Sequence, residues 1–163
     1  LFCGGGITAD LNLSLYLIRK YCGREIALQS ARCTLVDLDR ISQSPFAMFC
    51  PEKNHSDHKI LEAQAWMESN LRDKIDIEAV AKDAGMSLRH FNRRFKSATG
   101  ETVTKYLQLV RVDAAKVDLV NTNRPFDEIS LNTGYENVSF FRRVFKKNTS
   151  LTPAEYRRRF CQF

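Results

Sequence analysis

Apolar residues recur every three or four positions along most of the chain, which is the spacing of one face of an α-helix. The pattern predicts two helices near the start, over about 8–21 and 25–36, with Cys22-Gly23 ending the first of them. From residue 57 onward it predicts further helices at about 58–72, 76–84, 88–98, 102–121, 125–133, 137–147 and from Thr152-Pro153 to the terminus. No alternating strand pattern competes with this interpretation, and we therefore predict an all-α fold.

The two helical regions are separated by a stretch that contains two prolines and several Ser and Asn residues, a composition typical of a linker. Its apolar residues Phe46, Met48 and Phe49 are expected to dock on a neighbouring element. The sequence thus divides into a helical region at 1–40, a linker at 41–56 and a larger helical domain at 57–163.

The larger domain contains an internal repeat at an offset of 49–50 residues. The pattern Ile-x-x-Val-Ala-x-x-Ala-Gly at 77–85 recurs as Phe-x-x-Ile-Ser-x-x-Thr-Gly at 126–134. The pattern Phe-x-Arg-x-Phe-Lys at 91–96 recurs at 141–146. One structural unit therefore occurs twice, at about 76–98 and 126–147.

Each copy has the sequence features of a helix-turn-helix. In the first copy the small residue Ala81 lets a second helix cross closely, and Gly85 permits the sharp turn between the helices. Ser87 is expected to cap the second helix, while Phe91 and Phe95, one turn apart, anchor it to the core. In such motifs the second helix enters the DNA major groove. A pair of generic helical hairpins is the alternative, which the repetition in register disfavours.

A polar stripe spaced i, i+3, i+4, i+7 occupies the second helix of each copy. Its members are the candidate DNA-binding residues Arg89, Asn92, Arg93 and Lys96 in the first copy and Ser139, Arg142, Arg143 and Lys146 in the second. We expect the core face to hold Leu88, Phe91 and Phe95 in the first copy and Phe141 and Phe145 in the second. Arg and Asn side chains can bond the edges of guanine and adenine, and the two lysines are placed to reach phosphates. The alternative is that these charges are only solvated.

Charge is concentrated in the second half of the chain. Residues 85–163 carry 15 Lys/Arg and 7 Asp/Glu, whereas residues 1–55 carry 6 and 5 and residues 56–84 carry 4 and 7. A basic block of this kind suits a polyanionic partner such as double-stranded DNA. The predicted helix at about 102–121 would be roughly 30 Å long, close to the 34 Å between successive major-groove faces, so it could place both polar stripes on one duplex.

Other chemistry has weaker signals. The five cysteines are odd in number and widely spaced, which argues against a disulfide framework and favours the reducing cytoplasm. Cys50, His55 and His58 lie near one another, but no second pair completes a metal-binding pattern, so we expect neither a metal nor a cofactor. No apolar run is long enough to span a membrane, and no signal peptide is recognised.

Residues 57–163 resemble the DNA-binding domain of the AraC/XylS family of bacterial transcription regulators. The resemblance lies in Ile-Glu-Ala-Val-Ala at 77–81, Gly-Met-Ser at 85–87, Tyr-Leu-x-x-Val-Arg-Val at 106–112, Ser-Phe-Phe-Arg-Arg-Val-Phe-Lys at 139–146 and Leu-Thr-Pro-Ala-Glu-Tyr-Arg-Arg at 151–158. It implies two helix-turn-helix subdomains joined by a long linker helix. It also implies base-reading positions at Arg89, Asn92, Arg93, Val138, Ser139, Arg142 and Arg143. Ser130 departs from the Ala usual in the family.

The first forty residues are similar to the C-terminal end of PfpI-like, glutamine-amidotransferase-like domains, which precede an AraC-type domain in GlxA-like regulators. This similarity rests on Cys-Gly-Gly-Gly-Ile-Thr-Ala-Asp-Leu at 3–11 and on Ala-Arg at 31–32. It implies that the chain is a C-terminal fragment whose first helices are the remnant of an α/β domain. Cys3 does not match the position of that family's active cysteine, and we predict no catalytic residue.

These features favour a cytoplasmic transcription regulator that binds a promoter or operator, with RNA polymerase and a dimer partner joined through the missing domain as further candidate partners. A non-catalytic fragment of an amidotransferase-like enzyme and a protein-interaction module on the same fold are the alternatives. An interaction module would predict eroded basic residues on the two second helices, and Arg89, Arg93, Arg142 and Arg143 argue against erosion.

Overall fold

The computed structural model describes residues 9–34 and 48–161. The chain divides into two compact units, an N-terminal one within 1–43 and a C-terminal one from residue 44 onward. The predicted end of the second helix at 35–36 and the predicted docking of Phe46 lie outside the described residues.

The N-terminal unit is a helical hairpin. Helix α1 spans Ala9–Cys22 and helix α2 spans Arg24–Thr34. Gly23, with φ +91°, forms the turn between them, as its predicted left-handed position requires. Leu15, Ala27 and Ala31 are buried where the two helices pack.

The C-terminal unit is helical throughout its regular elements, and the prediction of an all-α fold is confirmed. In chain order its described helices are α3 His58–Ser69, α4 Ile77–Asp83, α5 Leu88–Thr99, α6 Val103–Asn121, α7 Phe126–Asn132, α8 Val138–Thr149 and α9 Pro153–Phe160. Helix α3 ends three residues earlier than predicted, because the Asn70 side chain bonds the Trp66 carbonyl and the Asn70 N–H caps the helix. No described helix is long and apolar enough to cross a membrane.

Helix starts follow the predicted caps. Asp76 accepts the Glu78 N–H at 2.9 Å, and Ser87 accepts the His90 N–H at 3.3 Å. Thr152 and Glu155 form a reciprocal capping box at the start of α9. These bonds fix where α5 and α9 begin, and hence where their first side chains point.

Two hydrophobic cores share helix α6. The first core includes Val103, Tyr106 and Leu107 of α6, and the second includes Val112, Ala115 and Leu119. At about 100° of rotation per residue, these two sets lie on nearly opposite faces of α6. A first subdomain (α3, α4, α5 and the start of α6) and a second subdomain (the end of α6, α7, α8 and α9) are therefore joined by one continuous helix.

The described part of the predicted linker, residues 48–56, forms no helix. Phe49 packs on the first core, with its ring 5.5 Å from that of Tyr106 in an edge-to-face arrangement. Its N–H donates to Asp113 of α6 at 2.5 Å. Met48 is 78% exposed, so the predicted docking is confirmed for Phe49 and wrong for Met48. Met48 comes directly before Phe49, whose backbone N–H is bonded to α6.

Candidate nucleic-acid interface

The repeat found in the sequence is also a repeat in backbone geometry. Gly85 and Gly134 form the two interhelical turns with φ of +70° and +80°. In each turn the next N–H reaches back to a carbonyl at 2.9 Å, Met86 to Ala81 and Tyr135 to Ser130. Helices α4 and α5, and equally α7 and α8, are thus paired through the same turn.

The ends of α5 and α8 repeat as well. Thr99 and Thr149 are buried, and their hydroxyls donate to the carbonyls of Phe95 and Phe145 at 2.8 Å. The residue after each threonine is left-handed, Gly100 in the first copy and Ser150 in the second. We call α5 and α8 the recognition helices, since each is the second helix of a helix-turn-helix.

The buried faces of the recognition helices agree with prediction at four of five positions. Phe91, Phe95, Phe141 and Phe145 are all fully buried. Leu88 is 41% exposed and the prediction that it lies on the core face was wrong. It is the first residue of α5.

The polar stripe of α5 consists of Arg89, Asn92, Arg93 and Lys96, and all four side chains are exposed. None of them makes a side-chain hydrogen bond or ion pair with a described residue. Neighbouring Arg94 is different, because its guanidinium bonds the carboxylate of Asp57, the N-cap of α3. The stripe is therefore a free cationic surface beside a residue that ties α5 to the first subdomain.

The polar stripe of α8 consists of Ser139, Arg142, Arg143 and Lys146, and these side chains are also exposed. Arg142 is paired with Asp127 of α7 and lies 5.5 Å from the centre of the Phe126 ring. Arg143 lies 5.9 Å from the Phe140 ring. Asp127 is a neighbour that the sequence stripe did not reveal, because it lies on the other helix of the motif.

Val138, which the resemblance placed among base-reading positions, is partly buried against the second core. Ser130 is fully buried, and its hydroxyl donates to the Tyr135 carbonyl at 3.0 Å. The hydroxyl that departs from the family pattern is therefore satisfied inside the turn.

A groove of about 400 Å³ lies between α8 and the start of α9, with Leu119 of α6 and Phe126 of α7 also in its wall. It is lined by Arg142, Arg143 and Lys146, and by residues 152–154. Arg157 also borders it, but its guanidinium donates to the carbonyls of Leu119 and Arg124, so this residue holds α9 to α6. The neighbouring Arg158 is exposed.

Glu155 places one negative charge near this groove. The Thr152 N–H and hydroxyl, with the charges of Lys146 and Arg158, hold the pKa of Glu155 below its usual value. The carboxylate thus stays ionised and fixes the first turn of α9.

The residues considered for a metal site are not brought together. The His55 ring lies 3.0 Å from the Gln64 amide oxygen, and His58 is the first residue of α3. Among the described residues, no group of three His, Cys, Asp or Glu side chains is arranged to hold a metal ion.

Comparison with known proteins places this geometry in a family. Residues 80–159 match the family model described as a helix-turn-helix domain. Over 95 residues the chain is 34% identical to the regulatory protein SoxS of Escherichia coli, which covers 58% of this chain and 89% of SoxS. A transcriptional regulator with an AraC-type DNA-binding domain from Chromobacterium violaceum superposes with a TM-score of 0.61 at 28% identity, over 66% of this chain and 96% of the other. The chain belongs to the AraC family.

Two further relatives match similar shares of the chain. The bifunctional transcriptional activator/DNA repair enzyme AdaA of Bacillus subtilis is 37% identical over 92 residues, which are 56% of this chain and only 44% of AdaA. The DNA-binding domain of the global transcriptional factor AdpA, whose structure is a complex with a target DNA, is 31% identical with a TM-score of 0.61, over 63% of this chain and 92% of the other.

Proposed function

We propose that this AraC-family chain is a sequence-specific transcription regulator that inserts α5 and α8 into two successive major grooves of one duplex. The observation that carries the proposal is the pair of exposed cationic stripes, each starting near the capped end of a recognition helix within the same repeated frame. DNA binding by AdpA and the regulatory roles of SoxS and AdaA support it.

The length of α6 suits this arrangement. Its 19 residues correspond to about 28 Å of helix, against roughly 34 Å between successive groove faces. The remaining distance is small enough to be met by side-chain reach or a modest bend of the DNA, at a cost of a few kcal/mol at most.

Each stripe residue has a proposed role. Lys96 and Lys146, each about two turns into its helix, would contact phosphates. The residues nearer the helix starts would read base edges: Arg89, Asn92 and Arg93 in α5 and Ser139, Arg142 and Arg143 in α8.

The test is selection of bound sequences from a pool of random duplexes, followed by affinity measurement at two salt concentrations. We expect a bipartite motif with centres about 10 base pairs apart, bound about 10³-fold or more tightly than scrambled DNA. Weak binding without a motif would leave only phosphate contact and contradict the proposal.

A matched pair of variants sharpens this test. Arg93→Ala and Arg158→Ala each remove one exposed arginine, but only the first lies on a recognition helix. Arg93→Ala should relax the preference at one base position, whereas Arg158→Ala should leave the selected motif unchanged.

We also propose that the N-terminal hairpin is the end of a PfpI-like domain of the GlxA-like type. Leu11, Tyr21 and Ile26 are 42%, 73% and 50% exposed on two short helices, which fits a hairpin that packs against further structure. We propose no catalytic role for the chain, in keeping with the regulatory protein SoxS, which it matches over 89% of its length, whereas the bifunctional enzyme AdaA is matched over only 44%. RNA polymerase contact and dimerisation stay predictions.

A further inference from the structure

The turn of the second helix-turn-helix touches the first subdomain. A Cβ atom built on Gly134 would overlap the backbone oxygen of Leu71, which lies just after α3, and would stand 2.7 Å from Nη2 of Arg111. Leu71 itself packs on the first core. The backbone of the second subdomain therefore approaches that of the first as closely as a glycine allows.

Arg111 of α6 contacts both sides of this approach, the segment after α3 and the turn before α8. It stands on α6 between Val110, which packs on the first core, and Val112, which is buried in the second. Its Nη2 donates to the Asp73 carbonyl at 2.9 Å, and its guanidinium lies 5.2 Å from the centre of the Tyr135 ring. Its Nε is buried without a hydrogen-bond partner among the described residues, so the side chain is held there at some cost in solvation.

The equivalent glycine of the first copy has no such role. Gly85 has nearly the same φ, but its added Cβ would meet only the flexible end of the Lys59 side chain, at 3.4 Å. The local turn thus requires a left-handed residue at both positions, whereas contact with the other subdomain occurs at Gly134.

We propose that Gly134, Arg111 and the carbonyls of Leu71 and Asp73 form a junction that fixes the orientation of α8 relative to α5 and so selects the spacing of half-sites that the chain reads. The claim that the junction selects half-site spacing rests on the proposed function, whereas the claim that it fixes the orientation of α8 does not. Helix α6 by itself fixes how far apart the two subdomains lie along the helix, but not the direction in which α8 points. Because Gly134 lies four residues before α8, a shift of this turn changes the direction in which α8 leaves it.

The first test needs no DNA. Backbone ¹⁵N relaxation of the wild-type chain should fit one rotational diffusion tensor for both subdomains, and Gly85→Ala should behave the same way. Gly134→Ala should require separate tensors, although both substitutions place an alanine at positive φ and strain the turn alike. Shared tumbling in Gly134→Ala would overturn the proposed junction.

Arg111→Met provides a variant that leaves both turns intact. It keeps an apolar stem beside Tyr135 but removes the bond to the Asp73 carbonyl. We expect it to loosen the subdomains as Gly134→Ala does, while far-UV circular dichroism shows that the helices remain. If Gly134→Ala does not fold, Arg111→Met and the Gly85→Ala control decide the question.

The second test uses duplexes built from the motif selected by the wild-type chain. The ratio of affinities for the two-half-site duplex and for a duplex with one half scrambled should fall about tenfold or more in Gly134→Ala and Arg111→Met. Their half-site affinities should stay within about twofold of wild type, and an inserted base pair between half-sites should be tolerated better.

An unchanged ratio and spacing preference would overturn the spacing role. If the wild-type chain selects no motif, the proposed function fails, and the relaxation data still decide whether the junction exists.

Discussion

The two helix-turn-helix copies share their turns, caps and buried phenylalanines, yet they hold their recognition helices in different ways. In the first copy the position after the shared arginine is Arg94, which pairs with Asp57 across the edge of the core. In the second copy that position is Val144, which is 8% exposed within the second core. The recognition helix is therefore held against its subdomain by an ion pair in the first copy and by apolar packing in the second.

The cores differ in the same sense. Phe126 and Tyr135 of the second subdomain stack on Phe141, with ring centres 5.4 and 4.2 Å away. The corresponding positions of the first subdomain are the aliphatic residues Ile77 and Met86. The repeat thus conserves the backbone and the position of the recognition helix, while the packing that supports it has diverged.

The largest expected effect is loss of a central phenylalanine. Phe95→Ala and Phe145→Ala each empty the middle of one core and should lower the free energy of unfolding by about 3–5 kcal/mol. Trp66 on α3 is the chain's one tryptophan, so its fluorescence follows the first subdomain, whereas circular dichroism follows all helices. In urea, Phe145→Ala should lose circular dichroism before the Trp66 signal changes, and Phe95→Ala should not.

Lys147→Ala, at an exposed position of the same helix, is the control and should leave both transitions in place. Coincident transitions in Phe145→Ala would mean that the two cores unfold as one body despite their separate packing. An unchanged midpoint would contradict the buried role of Phe145.

The next effect compares the two stripes in DNA binding. Arg93→Ala and Arg143→Ala should each weaken binding to the selected duplex by about 1–3 kcal/mol and relax one base position, in different half-sites. Competition with duplexes altered in one half-site at a time assigns each arginine to its half.

Equal weakening on cognate and scrambled duplexes would instead assign the arginine to a phosphate. In that case the dependence of affinity on salt should become shallower by about one ion. The two arginines are matched in sequence, but Arg143 lies against the Phe140 ring, so its loss also removes a packed contact.

Local features of the fold were predictable from the sequence because they repeat or follow backbone rules. The glycine turns and the caps at Asp76, Ser87 and Thr152 each depend on a few adjacent residues. The phenylalanine anchors follow from helical periodicity. The start of α5 was harder to predict, since Leu88 has the spacing of the buried face but, as the first residue of the helix, stays 41% exposed.

Contacts between distant segments carried no comparable signal. Gly134 looks like Gly85 in sequence, and its approach to Leu71 depends on how both subdomains sit on α6. The pairing of Arg142 with Asp127 likewise joins two separate helices, so the periodicity of either helix alone does not reveal it. The eight stripe residues are all exposed in the structure, while their contacts with DNA stay a prediction.

A smaller effect is a pH dependence of stability that arises from Asp57 in the first subdomain. Burial raises the pKa of Asp57, but bonds from Arg94 and from the Ile60 N–H outweigh this and hold it below its usual value of 3.8. The folded state therefore gains stability from the ionised carboxylate above that value and loses it as the pH falls through the lowered pKa. Asp57→Asn, which keeps a capping oxygen, should lower stability at pH 7 by less than about 1 kcal/mol.

The difference in free energy of unfolding between wild type and Asp57→Asn should shrink as the pH falls from about 5 to about 2, the range in which Asp carboxylates become protonated. Urea titrations followed by Trp66 fluorescence measure this difference. Asp83→Asn, which removes an exposed carboxylate without a hydrogen bond to a described residue, is the control for the loss of one negative charge. A constant difference across the range would contradict the ion-pair role of Asp57.

The smallest effect concerns the pair that the second recognition helix has and the first lacks. Asp127→Asn frees Arg142 and removes a negative charge beside the stripe, and the pair is exposed on both sides, with 54% and 64% of the side chains accessible. Affinity for the selected duplex should rise by a fraction of a kcal/mol, or about twofold to threefold, most clearly at low salt. Glu78→Gln removes the charge at the equivalent position of the first copy, where Asn92 stands in place of Arg142, and should give a smaller gain. Because both substitutions change the overall charge equally, the excess gain of Asp127→Asn measures the release of Arg142. A loss of affinity would mean instead that Asp127 holds Arg142 in the orientation that reads its base.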